Sequence, residues 1–124
     1  SSFGYFSDKD NADLLARFAK SLVEGGRLLI EVANPSRVLA GEATRIIASG
    51  EQVYETWDAE SKRATVIFPA TQFRGPVSAS VRVYTCDEYR SMLATAGLKL
   101  VDFYGQGFTE FTPESTRLIV LAQR

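Results

Sequence analysis

Apolar residues along the chain change period several times, and each change marks an element. In "ADLLARFAKSLVEGG", preceded by Asp8 and Asn11, residues Leu14, Leu15, Phe18, Ala19 and Leu22 recur at helical spacing. Gly25 and Gly26 supply the left-handed stop, so the pattern predicts a helix with one apolar face. "RLLIEVAN" (27–34) is nearly continuously apolar and ends at Asn34-Pro35. Such a run suits a strand covered on both faces in a parallel sheet. "SRVLAGEATRIIASG" (36–50) has no clean period and is expected to be broken helix or loop. Three β-like segments follow at 52–57, 64–70 and 77–84, joined by a hairpin-like turn at 58–63 and by "TQFRGP". They predict a small antiparallel flap over 50–81.

The helical period returns in "TCDEYRSMLATAGL". Thr85 and Glu88 stand at capping-box spacing, Tyr89, Met92, Leu93 and Ala96 share a face, and Gly97 stops the helix. "LKLVDFYG" and "TRLIVLAQR" are two further strands, separated by a long loop at 105–115. The order is helix, strand, flap, helix, strand, strand, an α/β layer with an insertion.

Composition narrows the chemistry. With 124 residues, 45% hydrophobic and 23% charged, the chain fits one globular domain. A net charge of -1 with interspersed signs lacks the basic surface that nucleic acid or an anionic membrane requires, so neither partner is expected. The apolar runs at 28–33 and 118–122 fall far short of the ~20 residues that span a bilayer, and no secretory leader pattern precedes Ser1; a cytoplasmic location is expected. The single cysteine, Cys86, cannot form an internal disulfide, and the absence of histidine excludes Cys/His zinc clusters, Ser-His-Asp triads and histidine acid-base catalysis. No metal site is expected.

Three stretches together carry a resemblance: "SFGYFSDKDNADLLARFAKSLVEGGRLLIEVAN", "VRVYTCDEYRSMLATAGLKLVDFYG" and "RLIVLAQR". In that order and spacing the chain resembles the carboxyl-terminal half of a class I S-adenosylmethionine-dependent methyltransferase. The resemblance implies a partial Rossmann-like sheet with flanking helices and an inserted antiparallel flap, residues 1–124 forming one half domain. It places Ser1 just after the family's fourth strand, an aromatic loop next, and a Tyr-Thr pair at the second helix. By the same resemblance, three strands, the Gly-rich turn and the ribose-binding acidic residue lie in an absent amino-terminal half.

The family's chemistry is in-line transfer of a methyl group from a sulfonium, which needs proximity, orientation and exclusion of water, and a base only for some acceptors. The implied cofactor is S-adenosylmethionine, bound through the missing half, with Ser2, Phe3 and Tyr5 as the cofactor contacts on this chain. Ring faces there can favour a sulfonium cation or simply anchor the loop on the core. Ligands of doubly wound sheets lie beyond the carboxyl ends of the parallel strands. That placement makes Tyr5, Phe6, Asn34, Arg37, Phe73, Arg82, Tyr84 and Tyr104 candidates for the acceptor; each also has a structural reading, Asn34 as turn chemistry and the others as packing or solvated surface. Glu31, inside an apolar run, is either a base or a satisfied polar group. Cys86 is either a thiol activated by a helix start or a small helix residue. Gly105-Gln106-Gly107 follows a strand but leads to no helix-length pattern, so it reads as a loop.

The strand at 28–33 would present an apolar edge, which predicts a partner: the amino-terminal half or a second copy of the chain. Two functions follow. One is the substrate-side half of a small-molecule methyltransferase, inactive by itself; the other is a non-catalytic methyltransferase-like interaction or dimerisation module. A Gly-x-Gly-x-Gly turn upstream would favour the first.

Overall fold

The computed structural model describes residues 3–39, 43–46 and 50–124, the segment 43–46 by its backbone. Helix α1 (Asp8–Ser21) is capped by Ser7, whose hydroxyl accepts from the Asp10 N–H at 3.1 Å. Asn11, Leu15 and Ala19 are buried at successive i, i+4 positions and define its inner stripe. β1 (Arg27–Ala33) follows, then a single helical turn α2 (Pro35–Val38).

A run of four strands comes next: β2 (Ala43–Ile46), β3 (Gln52–Asp58), β4 (Arg63–Phe68) and β5 (Val77–Arg82). Helix α3 (Cys86–Thr95) opens on the expected capping box. The Thr85 hydroxyl accepts from the Glu88 N–H at 3.2 Å, and the Glu88 carboxylate accepts from the Thr85 N–H at 2.9 Å. β6 (Lys99–Tyr104), a 3-10 turn (Gln106–Phe108) and β7 (Arg117–Gln123) complete the order.

The fold is mixed α/β with two small antiparallel sheets. One has the order β1-β7-β6 and the other β2-β3-β4-β5. β7 is antiparallel to both neighbours, so β1 and β6 run parallel with β7 between them. Leu28, Ile30 and Val32 of β1 and Leu118, Val120 and Ala122 of β7 face one side, where Leu15 and Ala19 of α1 and Tyr89 and Leu93 of α3 close the core.

Two expectations change. The 27–34 strand is neither in direct parallel pairing nor covered on both faces: it pairs with β7, and Arg27, Leu29, Glu31 and Ala33 are exposed. Nearly continuous hydrophobicity overstated its cover because both long helices pack on one side. In the 36–50 stretch, expected as broken helix or loop, the single turn α2 fits the expectation and strand β2 does not; its register with β3 pairs Ala43 with Glu55 and Ile46 with Gln52. A four-residue strand carries too little periodicity to be read without its partner. Residues 40–42 and 47–49 lie outside the described residues.

Candidate functional site

A cavity of about 160 Å³ lies between the two sheets. Val32 and Ala33, at the carboxyl end of β1, form its floor with Val38. Period-2 alternation turns Glu55 of β3, Ala64 and Val66 of β4 and Val81 of β5 to one face of the second sheet, which supplies the opposite wall. Phe3 and Tyr5, from the loop before α1, close one side, and Tyr84, Tyr89 and Arg117 complete it.

That loop is fixed by glycine. Gly4 has φ +105°, and a Cβ there would lie 2.5 Å from the Arg82 carbonyl oxygen and 2.9 Å from Val81 Cγ2. Only a residue without a side chain allows the loop so close to the end of β5. The Gly4 carbonyl then accepts from the Arg82 N–H at 2.7 Å. Phe3 is buried against Tyr84 and Tyr89, with ring centroids 5.9 and 6.1 Å away, and the ring of Tyr5 stays half exposed at the cavity.

Beneath the cavity a polar network joins α1, β5 and α3. The Tyr84 hydroxyl donates to Asp8 Oδ1 at 3.1 Å and accepts from Asn11 Nδ2 at 3.1 Å. Asn11 Nδ2 also donates to the Phe6 carbonyl at 2.9 Å. Arg82, almost wholly buried, donates from Nη2 to Glu88 Oε1 at 2.6 Å, and its Nε faces Asp8 Oδ1 at 3.0 Å without hydrogen-bond alignment. Its guanidinium lies 4.3 Å from the Tyr84 ring centroid.

Burial opposes ionisation of Glu88, but the hydrogen bonds from Arg82 and the Thr85 N–H, with the charges of Arg82 and Lys62, outweigh it and hold its pKa down to about 2. Burial pushes the Tyr84 and Tyr89 hydroxyls up, so both phenols stay protonated at neutral pH. Burial also pushes the Cys86 thiol up, and Asp87 adds to this against the opposing charge of Arg90; the helix start does not activate it.

The structure brings Phe3, Tyr5, Arg82 and Tyr84 together at one cavity. Ser2 lies outside the described residues. Phe6 turns away, toward Asp10, Asp13, Leu14 and Arg17 of α1. Asn34 is buried as the cap of α2: its Nδ2 donates to the carbonyls of Thr112, Pro113 and Ser115 at 3.2, 3.0 and 2.7 Å, and its Oδ1 accepts from the Ser36 N–H at 3.0 Å. Its amide is thus occupied by protein groups. Arg37 is exposed on α2, and Phe73 is 89% exposed at the hairpin tip where the Thr71 N–H donates to the Arg74 carbonyl. Tyr104 packs edge-on against Phe108, 5.4 Å between centroids, and does not line the cavity. Glu31 is on the exposed face of β1 and accepts from Arg117 Nε at 3.0 Å. Gly107, with φ 65°, belongs to the 3-10 turn rather than a long helix start.

Glu55, Ala64, Val66, Val81, Tyr89 and Arg117 carried no expectation of a site from sequence. Alternation in "VYETWD" puts Val53, Glu55 and Trp57 on one face and was the available signal for Glu55. Nothing local marks Arg117, which reaches the cavity because β7 inserts beside β1. Among the described residues no three His, Cys, Asp or Glu side chains form a group able to hold a metal ion, and no described helix is long and apolar enough to cross a membrane.

No protein-family model matches the sequence, and no curated protein matches it. Solved structures do. The CcbJ methyltransferase from Streptomyces caelestis superposes with a TM-score of 0.80 at 17% identity, over 98% of this chain and 56% of that one. An S-adenosylmethionine-dependent methyltransferase from Clostridium acetobutylicum ATCC 824 superposes with a TM-score of 0.73 at 15% identity, over 98% of this chain and 54% of that one. The fold is methyltransferase-like. This chain spans about half the length of each of these methyltransferases.

In a methyltransferase-like fold the cavity can be tested against the cofactor. Its 160 Å³ falls below the roughly 300 Å³ at which clefts that bury a whole drug-sized ligand begin. The described residues therefore enclose less than the whole volume of such a molecule, and the ring of Tyr5 borders that space.

Proposed function

We propose that this chain is the carboxyl-terminal, acceptor-side half of an S-adenosylmethionine-dependent methyltransferase acting on a small molecule, with the cofactor-binding half supplied by polypeptide outside these residues. The cavity carries the reading: it opens beyond the carboxyl end of β1, where α/β sheets bind ligands, and is walled by an aromatic loop and a second sheet. The likeness to two methyltransferases over 98% of the chain supports it.

When bound, the cofactor supplies a methyl group on a sulfonium. The chain's own part is to hold the acceptor in line and exclude water. Phe3 and Tyr5 are assigned to the cofactor side, and Tyr5, Arg82 and Tyr84 to the acceptor side. Apolar Val66 and Val81 keep the wall dry. Arg82 is neutralised by Asp8 and Glu88, so it orients Tyr84 and the loop rather than presenting a free charge. The phenol of Tyr84, tied to Asp8 and Asn11, is a fixed polar point at the cavity's edge. Phe6, Asn34, Arg37, Phe73 and Tyr104 recede as acceptor contacts because their side chains lie away from the cavity.

The test uses the polypeptide that carries residues 1–124 together with its cofactor-binding half. Incubated with methyl-labelled S-adenosylmethionine and a metabolite extract, it is expected to move label into the small-molecule fraction, and Tyr5→Ala should reduce transfer about tenfold or more. Absence of both label transfer and S-adenosylmethionine binding by calorimetry would refute the reading. The open outer face of β1, where Leu29 is 46% exposed, favours a second reading as an interaction module. A stable dimer without cofactor binding would select it.

A further inference from the structure

We propose that Arg63 is a positioning residue that fastens the aromatic loop to the second sheet, so that Tyr5 and the wall formed by Ala64, Val66 and Val81 keep one geometry across the cavity. The inference rests on the methyltransferase reading for its catalytic consequence, but the clamp itself stands on geometry. Arg63 opens β4, and its guanidinium meets both partners at once. On its own sheet, Nε donates to Ser80 Oγ at 2.8 Å and Nη2 to the Ser80 carbonyl at 3.2 Å. On the loop, three successive carbonyls converge on it: Gly4 at 3.5 Å and Tyr5 at 3.2 Å from Nη2, and Phe6 at 3.2 Å from Nη1.

Nη2, with two N–H bonds for three carbonyls, shares one of them, and the planar fork reaches both partners together; a lysine ammonium, with three donors at one point, cannot. The neighbouring bonds decide what Arg63 adds. The Gly4 carbonyl also accepts from the Arg82 N–H, and the Phe6 carbonyl also accepts from Asn11 Nδ2. With Arg63 removed, both ends of the loop keep an anchor, while the Tyr5 carbonyl between them loses its bond to the guanidinium. The effect is confined to the residue whose ring borders the cavity, and the fold persists.

The experiment compares the wild type with Arg63→Lys and Arg63→Gln in the polypeptide that also carries the cofactor-binding half. The backbone order parameter at Tyr5 is expected to fall from about 0.85, the rigid value, to below about 0.6, with Ile30 and Val120 unchanged. The kcat for methyl transfer is expected to fall about tenfold, with both KM values within about twofold, because misplacement costs the reacting geometry more than binding. Ser80→Ala, which loosens the guanidinium from its own sheet, should reproduce a smaller version of both effects and replaces the Arg63 variants if they unfold. An unchanged order parameter at Tyr5 would overturn the clamp. A lower order parameter with unchanged kcat would overturn the positioning role. No methyl transfer by the wild type would strike the underlying reading, and the order parameter alone would then decide the clamp.

Discussion

The three-stranded sheet is stabilised from one side by apolar packing, whereas the four-stranded sheet is joined to the rest of the chain through hydrogen bonds and ion pairs. In the first, Leu15, Leu93, Leu118 and Val120 are almost wholly buried in one continuous core. In the second, Val53 and Ala64 are the buried apolar residues among those described, and attachment runs through the Arg82 N–H to the Gly4 carbonyl, Arg63 to the loop, Arg82 to Asp8 and Glu88, and Lys62 to Glu88. Apolar burial is non-directional, but polar attachment fixes distance and angle. The cavity lies at this seam, where one wall belongs to the rigid core and the other is set by directed contacts.

The largest effect that sharpens the contrast is in the core. Leu118→Ala should destabilise the chain by about 2–5 kcal/mol, and Val53→Ala in the second sheet by about 1–2 kcal/mol, from the methylenes lost and the cavities left. Denaturant titration of both checks it; equal losses would break the comparison. Gly4→Ala comes next. A side chain at φ +105°, with its Cβ 2.5 Å from a carbonyl oxygen, should cost roughly 1–3 kcal/mol and free the loop from β5. Loss of amide protection at Arg82 would report it.

The smallest effect is acidic. The folded pKa of Glu88 is about 2, below its ordinary value of 4.5, so the stability it contributes is complete above 4.5 and disappears as pH falls through about 2. Glu88→Gln should therefore lose less stability than the wild type between pH 6 and 2. The difference is about 1 kcal/mol after allowing for the solvent that reaches Glu88. Parallel acid-denaturation curves would remove the Arg82–Glu88 pair from the attachment.

Elements with a full local signature were legible from sequence alone. α3 announced itself by Thr85, Glu88 and Gly97, and β6 and β7 by apolar runs bounded by turns. Pairing was not legible: "RLLIEVAN" does not say that its neighbour begins at Arg117, because strand partners are chosen by nonlocal burial. Nor was β2, too short to carry a period. At the candidate site, Phe3, Tyr5, Arg82 and Tyr84 converge because the Gly4 turn lies against β5. Asn34 and Tyr104 were candidates too, Asn34 with turn chemistry as the favoured reading, yet Asn34 bonds the loop at 112–115 and Tyr104 packs edge-on against Phe108; side-chain direction at a strand end is decided by which loop arrives there. Arg63 had no signal, since its partners are backbone carbonyls, which every sequence has.

β7 is the last element in chain order and the middle strand in space. During synthesis β1 leaves the ribosome long before its partner exists: 84 positions separate Ala33 from Arg117. At about 5–20 residues per second that is a wait on the order of 4–17 s with an apolar strand unpaired. Over that interval the strand is open to off-path pairing, and its sheet forms late, from its most distant contacts.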